Sequence, residues 1–414
     1  MALPPPAEPS ALTPPLRVLF VDDEPRLIEA LQRMLRPQRH EWDMTFVTSG
    51  EEAVRLVGER PIDVVVTDMR MPGTTGDQVL AEVMRIRPST VRIVLSGHAD
   101  QELVRKTIGL AHQYLSKPCD AVLLRSTISR ACRLRGLLRD ERLRDLAGRM
   151  QTMPSLPTLY LRLVELMRDP AASLRQAGEL VACDLGMSMK VLQLVNSAFF
   201  GLPRQLSDPV EAVSLLGMEM IQSLALTTHA FSELDAGVGR IASADELWAQ
   251  CMLVAKVARR IALAENATRA VADAAFMGGM LHQVGRLLLA ANYGDDYSRI
   301  RRAVGASANE ADTAEATQFG ATHAELGAYL LGLWGIPDAI VEAVAFHRRP
   351  SACEVPGFSP LAAVHVAHCL VDAGARAPGR LPLDAAFLAR IGCLERLGVW
   401  REAYIAVIAE AGAP

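Results

Sequence analysis

Four short apolar runs in the first third of the chain each end on a polar group able to do chemistry. Asp22 and Asp23 close the run from Leu16 to Val21, and Asp68 closes the run from Ile62 to Thr67. Ser96 closes Val91 to Leu95, and Lys117 follows Gln113-Tyr114-Leu115 and precedes Pro118. Three carboxylates, a hydroxyl and an ammonium on one edge make a site for Mg²⁺ and a phosphoryl group. Mg²⁺ takes a few carboxylate oxygens and keeps several waters. Asp22 and Asp23 can supply the acidic side, and Asp68 a further oxygen and the nucleophile. A carboxylate is a weak nucleophile, so metal placement and charge stabilisation must supply the rate. Lys117 would neutralise one phosphoryl oxygen as a point charge, and Ser96 would donate a hydrogen bond to another. A single strand-end aspartate is usually a turn or cap residue. The ordered set carries the inference.

Such a set needs a scaffold that gathers strand ends. Residues 16–130 alternate β-branched runs with helical patterns. Strands are expected near 16–21, 43–48, 62–67, 91–95 and 113–115, and helices near 24–36, 50–59, 76–87, 100–110 and 120–140. Five such units predict a doubly wound α/β domain, whose ligands bind at the carboxyl ends of its strands. The last helix is expected to run on through 130–150. Leu134, Leu138, Leu143, Leu146 and Met150 hold near-helical spacing there, and arginines cover the rest. That pattern reads as a solvated amphipathic connector. From Met153 onward strand-like runs stop, and Leu, Ala and Met recur at helical spacing. Breaks fall at Asp169-Pro170, Asp208-Pro209, Gly335-Ile336-Pro337 and Arg349-Pro350. The expected division is a disordered lead at 1–15, an α/β domain at 16–130 and a helical linker at 131–152. An all-α domain at 153–350 and a C-terminal helical extension or subdomain at 351–414 complete it.

Composition narrows the function classes. The 414 residues carry a net charge of −4, against a general electrostatic nucleic-acid binder. Seven scattered cysteines form no Cys-x-x-Cys pair, which favours a reduced, cytoplasmic protein over a zinc ribbon. No apolar run is long enough to span a bilayer, so no membrane partner is expected. A phosphate-binding Gly-x-x-x-x-Gly-Lys loop, a Gly-x-Ser-x-Gly elbow and a helix-turn-helix are all missing, and with the last of these a transcription-factor reading loses its support.

Val-Asp-Asp-Glu-Pro at 21–25, Thr-Asp-Met-Arg-Met-Pro-Gly at 67–73 with Gly76, Leu-Ser-Gly at 95–97 and Tyr-Leu-Ser-Lys-Pro at 114–118 resemble the receiver domain of two-component response regulators. The resemblance implies a flavodoxin-like fold with a five-stranded parallel sheet in the order 2-1-3-4-5. It implies that Asp68 accepts a phosphoryl group from a sensor histidine kinase. Asp22, Asp23, Asp68 and the backbone carbonyl of Arg70 would hold Mg²⁺, and Ser96 and Tyr114 would fill two switch positions. Their movement would shift the face formed by the fourth helix, fifth strand and fifth helix.

The second domain opens on Met153-Pro154-Ser155-Leu156-Pro157. It continues through Asn196-Ser197-Ala198-Phe199-Phe200-Gly201, Leu281-His282-Gln283-Val284-Gly285, Thr322-His323-Ala324-Glu325-Leu326-Gly327, Trp334-Gly335-Ile336-Pro337 and His347-Arg348-Arg349-Pro350. Together these resemble the HDOD domain, a relative of HD phosphohydrolases. Those enzymes use His and Asp ligands to activate a metal-bound water. Here the paired His-Asp is His282-Gln283, Gln250 stands where a first ligand His is expected, and His347 is followed by the fixed cation Arg348. Gln250, His282, Gln283 and His347 therefore read as a vestigial site, with no cofactor expected in this domain. The expected output is binding of a protein partner under phosphoryl control. The alternative is a receiver-controlled, metal-dependent phosphohydrolase acting on a cyclic dinucleotide. A nucleotide second messenger in the vestigial pocket, near Arg286 and Arg348, and a homodimer are further expectations.

Overall fold

The structure is a computed structural model. It describes residues 15–97, 109–135, 138, 140–150, 173–196, 202, 204–218, 244–304, 308–374 and 381–411, with isolated positions at 162, 163, 166, 220, 221 and 224. The lead at 1–14, most of the helix expected near 100–110 and the Ser197–Gly201 segment lie outside the described residues, as does the side chain of Ser96.

The first domain runs β1 (Leu16–Val21), α1 (Pro25–Leu35), β2 (Trp42–Val47), α2 (Gly50–Glu59), β3 (Val64–Asp68), α3 (Gly76–Ile86), β4 (Val91–Gly97), β5 (Gln113–Lys117) and α4 (Ala121–Arg135). All strand pairs are parallel, in the order β2-β1-β3-β4-β5. The expected flavodoxin-like sheet is what forms. Residue alternation sends successive side chains to opposite faces. Val18, Phe20, Val64 and Val66 join one core with Leu31 and Leu35 of α1 and Leu124 and Ile128 of α4. Leu19, Val21 and Val65 join another with Ala53 and Val57 of α2 and Val79 and Val83 of α3. Central strands covered on both faces need continuous apolar runs, which is why β3 is buried throughout.

The connector departs from expectation in two ways. It is not one continuous helix: α4 ends at Arg135, and α5 (Glu141–Arg149) starts afresh behind Asp140, whose carboxylate accepts the Arg142 amide hydrogen at 2.8 Å. An aspartate at this position caps a new helix more readily than it continues an old one. Nor is it solvated all round. Leu138, Leu143 and Ala147 are buried, and α5 is pinned to the first domain. The Ser89 amide donates to Asp145 at 3.1 Å, and the Arg92 guanidinium donates to the Gly148 carbonyl at 2.6 Å. Arg92 is wholly buried and also donates to the carbonyls of Pro88, Thr90 and Leu110. Burial pulls its guanidinium down to about 9.

Beside Arg92 lies His112, also buried, and burial together with that guanidinium holds it far below its ordinary range. A base depressed in the folded state stays neutral there and charges only on unfolding. Its stability contribution is therefore present above the unfolded pKa near 6.5 and falls by about 1.4 kcal/mol for each pH unit below it. Urea unfolding at pH 7.5 and pH 5.5 measures this. In His112→Gln the loss should be smaller by roughly that amount; an unchanged pH slope would exclude the assignment.

The all-α part contains α6 (Leu174–Ala182), α7 (Leu185–Val195), α8 (Pro209–Leu216), α9 (Ala244–Ala264), α10 (Arg269–Leu281) and α11 (Val284–Val304). It continues with α12 (Ala308–Phe319), α13 (His323–Leu333), α14 (Asp338–Phe346), α15 (Pro360–Ala373), α16 (Ala385–Arg390) and α17 (Leu397–Ala411). Of the expected breaks, Asp169-Pro170 lies outside the described residues and Asp208-Pro209 starts a helix. Asp208 caps α8 ahead of Pro209, and Thr322 and Glu325 form a capping box at α13. Residues beyond Pro350 share a core with the earlier helices. Leu361 and Val364 of α15, Phe387 of α16 and Trp400 of α17 pack with Val254, Val257 and Ile261 of α9 and Ala272 of α10. The receiver core that holds Val18 and Ile128 runs on without interruption through Tyr114 and Leu115 to Val191, Trp334 and Ile336, so the two domains are packed together.

Candidate functional site

The carboxyl ends of β1, β3 and β5 bring Asp22, Asp68 and Lys117 together. Lys117 Nζ lies 2.7 Å from Asp22 Oδ2 and 2.6 Å from Asp68 Oδ1. Asp22 and Asp68 are buried, Asp23 is half-buried and Arg70 is exposed. Backbone amides orient the acids: Glu24 N donates to Asp22 Oδ1 at 3.0 Å, and Arg70 N donates to Asp68 Oδ2 at 3.1 Å. α3 closes directly on this loop. A Cβ at Gly76 would lie 2.1 Å from the Asp68 carbonyl oxygen, so only glycine lets the helix approach.

The electrostatics suit a cation. Burial pushes the Asp22 carboxyl above its usual range; Lys117 and the Glu24 amide pull the other way, and the charge of Asp68 adds to the rise. Burial would lower the Lys117 ammonium, but its bonds to Asp22 and Asp68 outweigh that and raise it. Two carboxylates on one ammonium leave an excess of negative charge. A divalent cation at Asp22 and Asp68, next to Asp23 in sequence, would relieve that crowding, so these residues fit Mg²⁺. Ser96 is placed by its backbone alone, paired in register with Ser116 of β5. Tyr114 of β5 is buried at the junction between the domains.

That junction is specific. Gln113 Nε2 donates to the Leu333 carbonyl at 3.3 Å, and Gln193 Nε2 donates to the His112 carbonyl at 3.0 Å. Arg130 of α4 pairs with Asp338 at 2.8 Å and donates to the Ile336 carbonyl. A cavity of about 470 Å³ lies between the domains, lined by Tyr114, Ser126, Arg130, Asn196 and Trp334 among others.

In the helical domain the four residues of the vestigial set are not equivalent. Gln250 is half-buried on α9 beside the buried Cys251. Gln283 is buried, with neither amide atom hydrogen-bonded, and lines a small crevice with Cys251 and Met280. His282 and His347 come together, and His368 of α15 joins them. Ring centroids are 5.0 Å apart for His282 and His347, 5.1 Å for His282 and His368 and 5.0 Å for His347 and His368. His323 stands 6.0 Å from His347. Its Nδ1 lies 2.7 Å from Glu315 Oε2, and that carboxylate also accepts the His323 amide at 2.8 Å. Tyr297 donates to the other oxygen of Glu315 at 3.0 Å. Burial would raise the Glu315 carboxyl, but the His323 ring and amide hold it down at about 2. Arg348, expected to repel a cation, is paired with Asp312. Sequence reasoning missed His368 and Glu315. The signal for the first was His365-x-x-His368, two polar residues one turn apart on an otherwise Ala-, Val- and Leu-rich helix.

Among the described residues, no helix is long and apolar enough to cross a membrane. Comparison with known proteins identifies both domains. The family model for the response regulator receiver domain matches residues 18–129, and that for the HDOD domain matches residues 153–350. The hydrogenase transcriptional regulatory protein HoxA of Cupriavidus necator is 39% identical over 137 residues, covering 33% of this chain and 28% of HoxA. A cyclic di-GMP phosphodiesterase of Thermotoga maritima is 31% identical over 121 residues, covering 29% of this chain and 32% of that enzyme. The matches thus span about a third or less of these relatives' own length. The crystal structure of the MmoQ response regulator from Methylococcus capsulatus has a TM-score of 0.47 and 21% identity, covering 59% of this chain and 97% of that one. The chain therefore carries a response regulator receiver domain followed by an HDOD domain.

Proposed function

We propose that this is a cytoplasmic response regulator in which Asp68 takes a phosphoryl group from a sensor histidine kinase and thereby controls a non-catalytic HDOD output. Asp22, Asp23, Asp68 and the Arg70 carbonyl hold Mg²⁺, Lys117 neutralises the phosphoryl oxygens, and Ser96 and Tyr114 form the switch. The observation that carries this reading is Lys117 bridging Asp22 and Asp68 at adjoining strand ends. Phosphorylation adds roughly −1.5 to −2 charge at one point. Lys117 must then trade its carboxylate partners for phosphoryl oxygens, which disturbs the end of β5. Tyr114 lies on that strand, against the helical domain. The output is binding of a protein partner, since the acid expected beside His282 is the amide Gln283. Hydrolysis of a cyclic dinucleotide is the second reading, favoured by the likeness to the Thermotoga enzyme.

Hydrogen exchange of the full chain with and without beryllofluoride and Mg²⁺ tests the coupling. Amides of Ala121–Arg135 and Asp338–Phe346 should exchange at least about tenfold faster in the beryllofluoride form, an opening free energy near 1.4 kcal/mol. Equal protection in both forms, with the analogue bound, would reject control through this junction. The same two samples incubated with cyclic di-GMP should release no product.

A further inference from the structure

Each neutral imidazole has one N–H and one lone pair, and a carbonyl oxygen can only accept. His282 Nδ1 lies 2.6 Å from the Gly279 carbonyl, and His347 Nδ1 lies 2.9 Å from the Val344 carbonyl. Both Nδ1 atoms must therefore carry the hydrogen, which leaves Nε2 of each ring as a bare lone pair. His323 is arranged likewise, with Nδ1 against the Glu315 carboxylate. The Nε2 atoms of His282, His323 and His347 and Nδ1 of His368 are all buried and have no hydrogen-bond partner. One ring nitrogen from each of His282, His347 and His368 lies within 4.8 Å of the others. His365 supplies a contrast on the same helix as His368. Its Nδ1 donates to the His347 carbonyl at 2.7 Å, and its Nε2 accepts the Asp384 amide at 3.0 Å, so it is fully satisfied.

The bare lone pairs of His282 and His347 converge and repel one another, and a buried polar atom without a partner, as at His368 Nδ1, is costly. A metal ion relieves this, because it accepts several lone pairs at once. At His282, His347 and His323 the outer contacts are those that metal-bound histidines have: the far ring nitrogen is held by a backbone carbonyl or a carboxylate, which fixes the tautomer and aims the lone pair.

We infer that His282, His347 and His368, with His323 adjoining, form a binding site for a borderline transition-metal ion such as Zn²⁺. An all-imidazole set selects Zn²⁺, Cu²⁺ or Ni²⁺ over Mg²⁺ or Ca²⁺. Tetrahedral Zn–N distances near 2.0–2.1 Å place ligand atoms about 3.3 Å apart, so the rings close up slightly around the ion. The three ligand rings are at most 5% exposed. The ion is enclosed, and its role is to lock α10, α14 and α15 together rather than to present a hydroxide to a substrate.

The test uses the full-length chain without a histidine tag and Co²⁺ as the probe. One equivalent should survive gel filtration and show the intense visible absorption of low-coordinate, nitrogen-ligated cobalt. Cobalt on the receiver carboxylates would be six-coordinate and weakly absorbing, so the spectrum separates the two sites. His368→Ala and His347→Ala should each weaken binding by at least about 100-fold, while His112→Gln, in the receiver, should not. In the wild type, Zn²⁺ should raise the melting temperature by at least about 3 °C, reversibly with chelator. A wild-type protein that gives only the weak six-coordinate spectrum and no thermal shift overturns the proposal, whether or not the variants fold. So does full cobalt binding by a folded His368→Ala protein.

Discussion

Asp68→Asn should lower phosphoryl incorporation from a small-molecule phosphodonor with Mg²⁺ by at least about a hundredfold. The substitution is nearly isosteric, so the fold should persist. What it removes is specific. An amide oxygen is a poor nucleophile and a neutral metal ligand, and Lys117 loses one of its two anionic partners, now 2.6 Å away. Asp22 would remain bonded to Lys117 at 2.7 Å and keep that side of the site intact. Mass spectrometry of the intact chain reads the outcome directly, with one added phosphoryl group in the wild type and none in the variant. Wild-type labelling of Asp68→Asn would place the acceptor elsewhere. Asp22→Asn offers a graded comparison, since it removes a metal ligand and leaves the nucleophile.

Gly148→Ala should destabilise the protein by about 3 kcal/mol, although alanine is the better helix former by about 1 kcal/mol. Propensity and packing therefore predict opposite signs. A Cβ at Gly148 would lie 1.9 Å from the Pro88 carbonyl oxygen and 2.6 Å from its carbon, and both belong to backbone that cannot rotate away. α5 would have to withdraw from the receiver. That breaks the 2.6 Å bond from Arg92 to the Gly148 carbonyl and leaves part of a buried guanidinium unsolvated. Urea unfolding gives the magnitude, and limited proteolysis near residues 136–150 shows whether the connector has come loose. Unchanged or increased stability would mean that α5 is not clamped as described.

The receiver was legible because its chemistry is written at strand ends. Apolar runs of six residues lead to Asp22 and Asp68 and a shorter one to Lys117, and a parallel sheet has only one edge where such ends can meet. The connector was less legible. Leucine spacing alone does not separate one long helix from two, and only the Asp140 cap marks the break. Burial of Leu138 and Leu143 depends on a partner surface that local sequence does not contain. The histidine cluster was half legible. His282 and His347 stand in recognisable motifs, but His368 lies on α15, beyond the apparent end of the domain. Periodicity places that residue on an apolar helix and gives no hint of which rings it will face. The unpartnered state of its Nδ1 is a property of packing.

α14 joins two parts of the molecule. Its entrance, Ile336 and Asp338, is held by Arg130 of the receiver, and its exit is His347 of the histidine cluster. Nine helical residues span about 13.5 Å and do not stretch. A displacement imposed at one end is therefore delivered to the other. Linkage then works in both directions: if the phosphoryl state of the receiver alters the occupancy of the cluster by some factor, that occupancy must shift the receiver's equilibrium by the same factor. Such a helix would let the output domain's internal chemistry report back on how readily its own regulator switches.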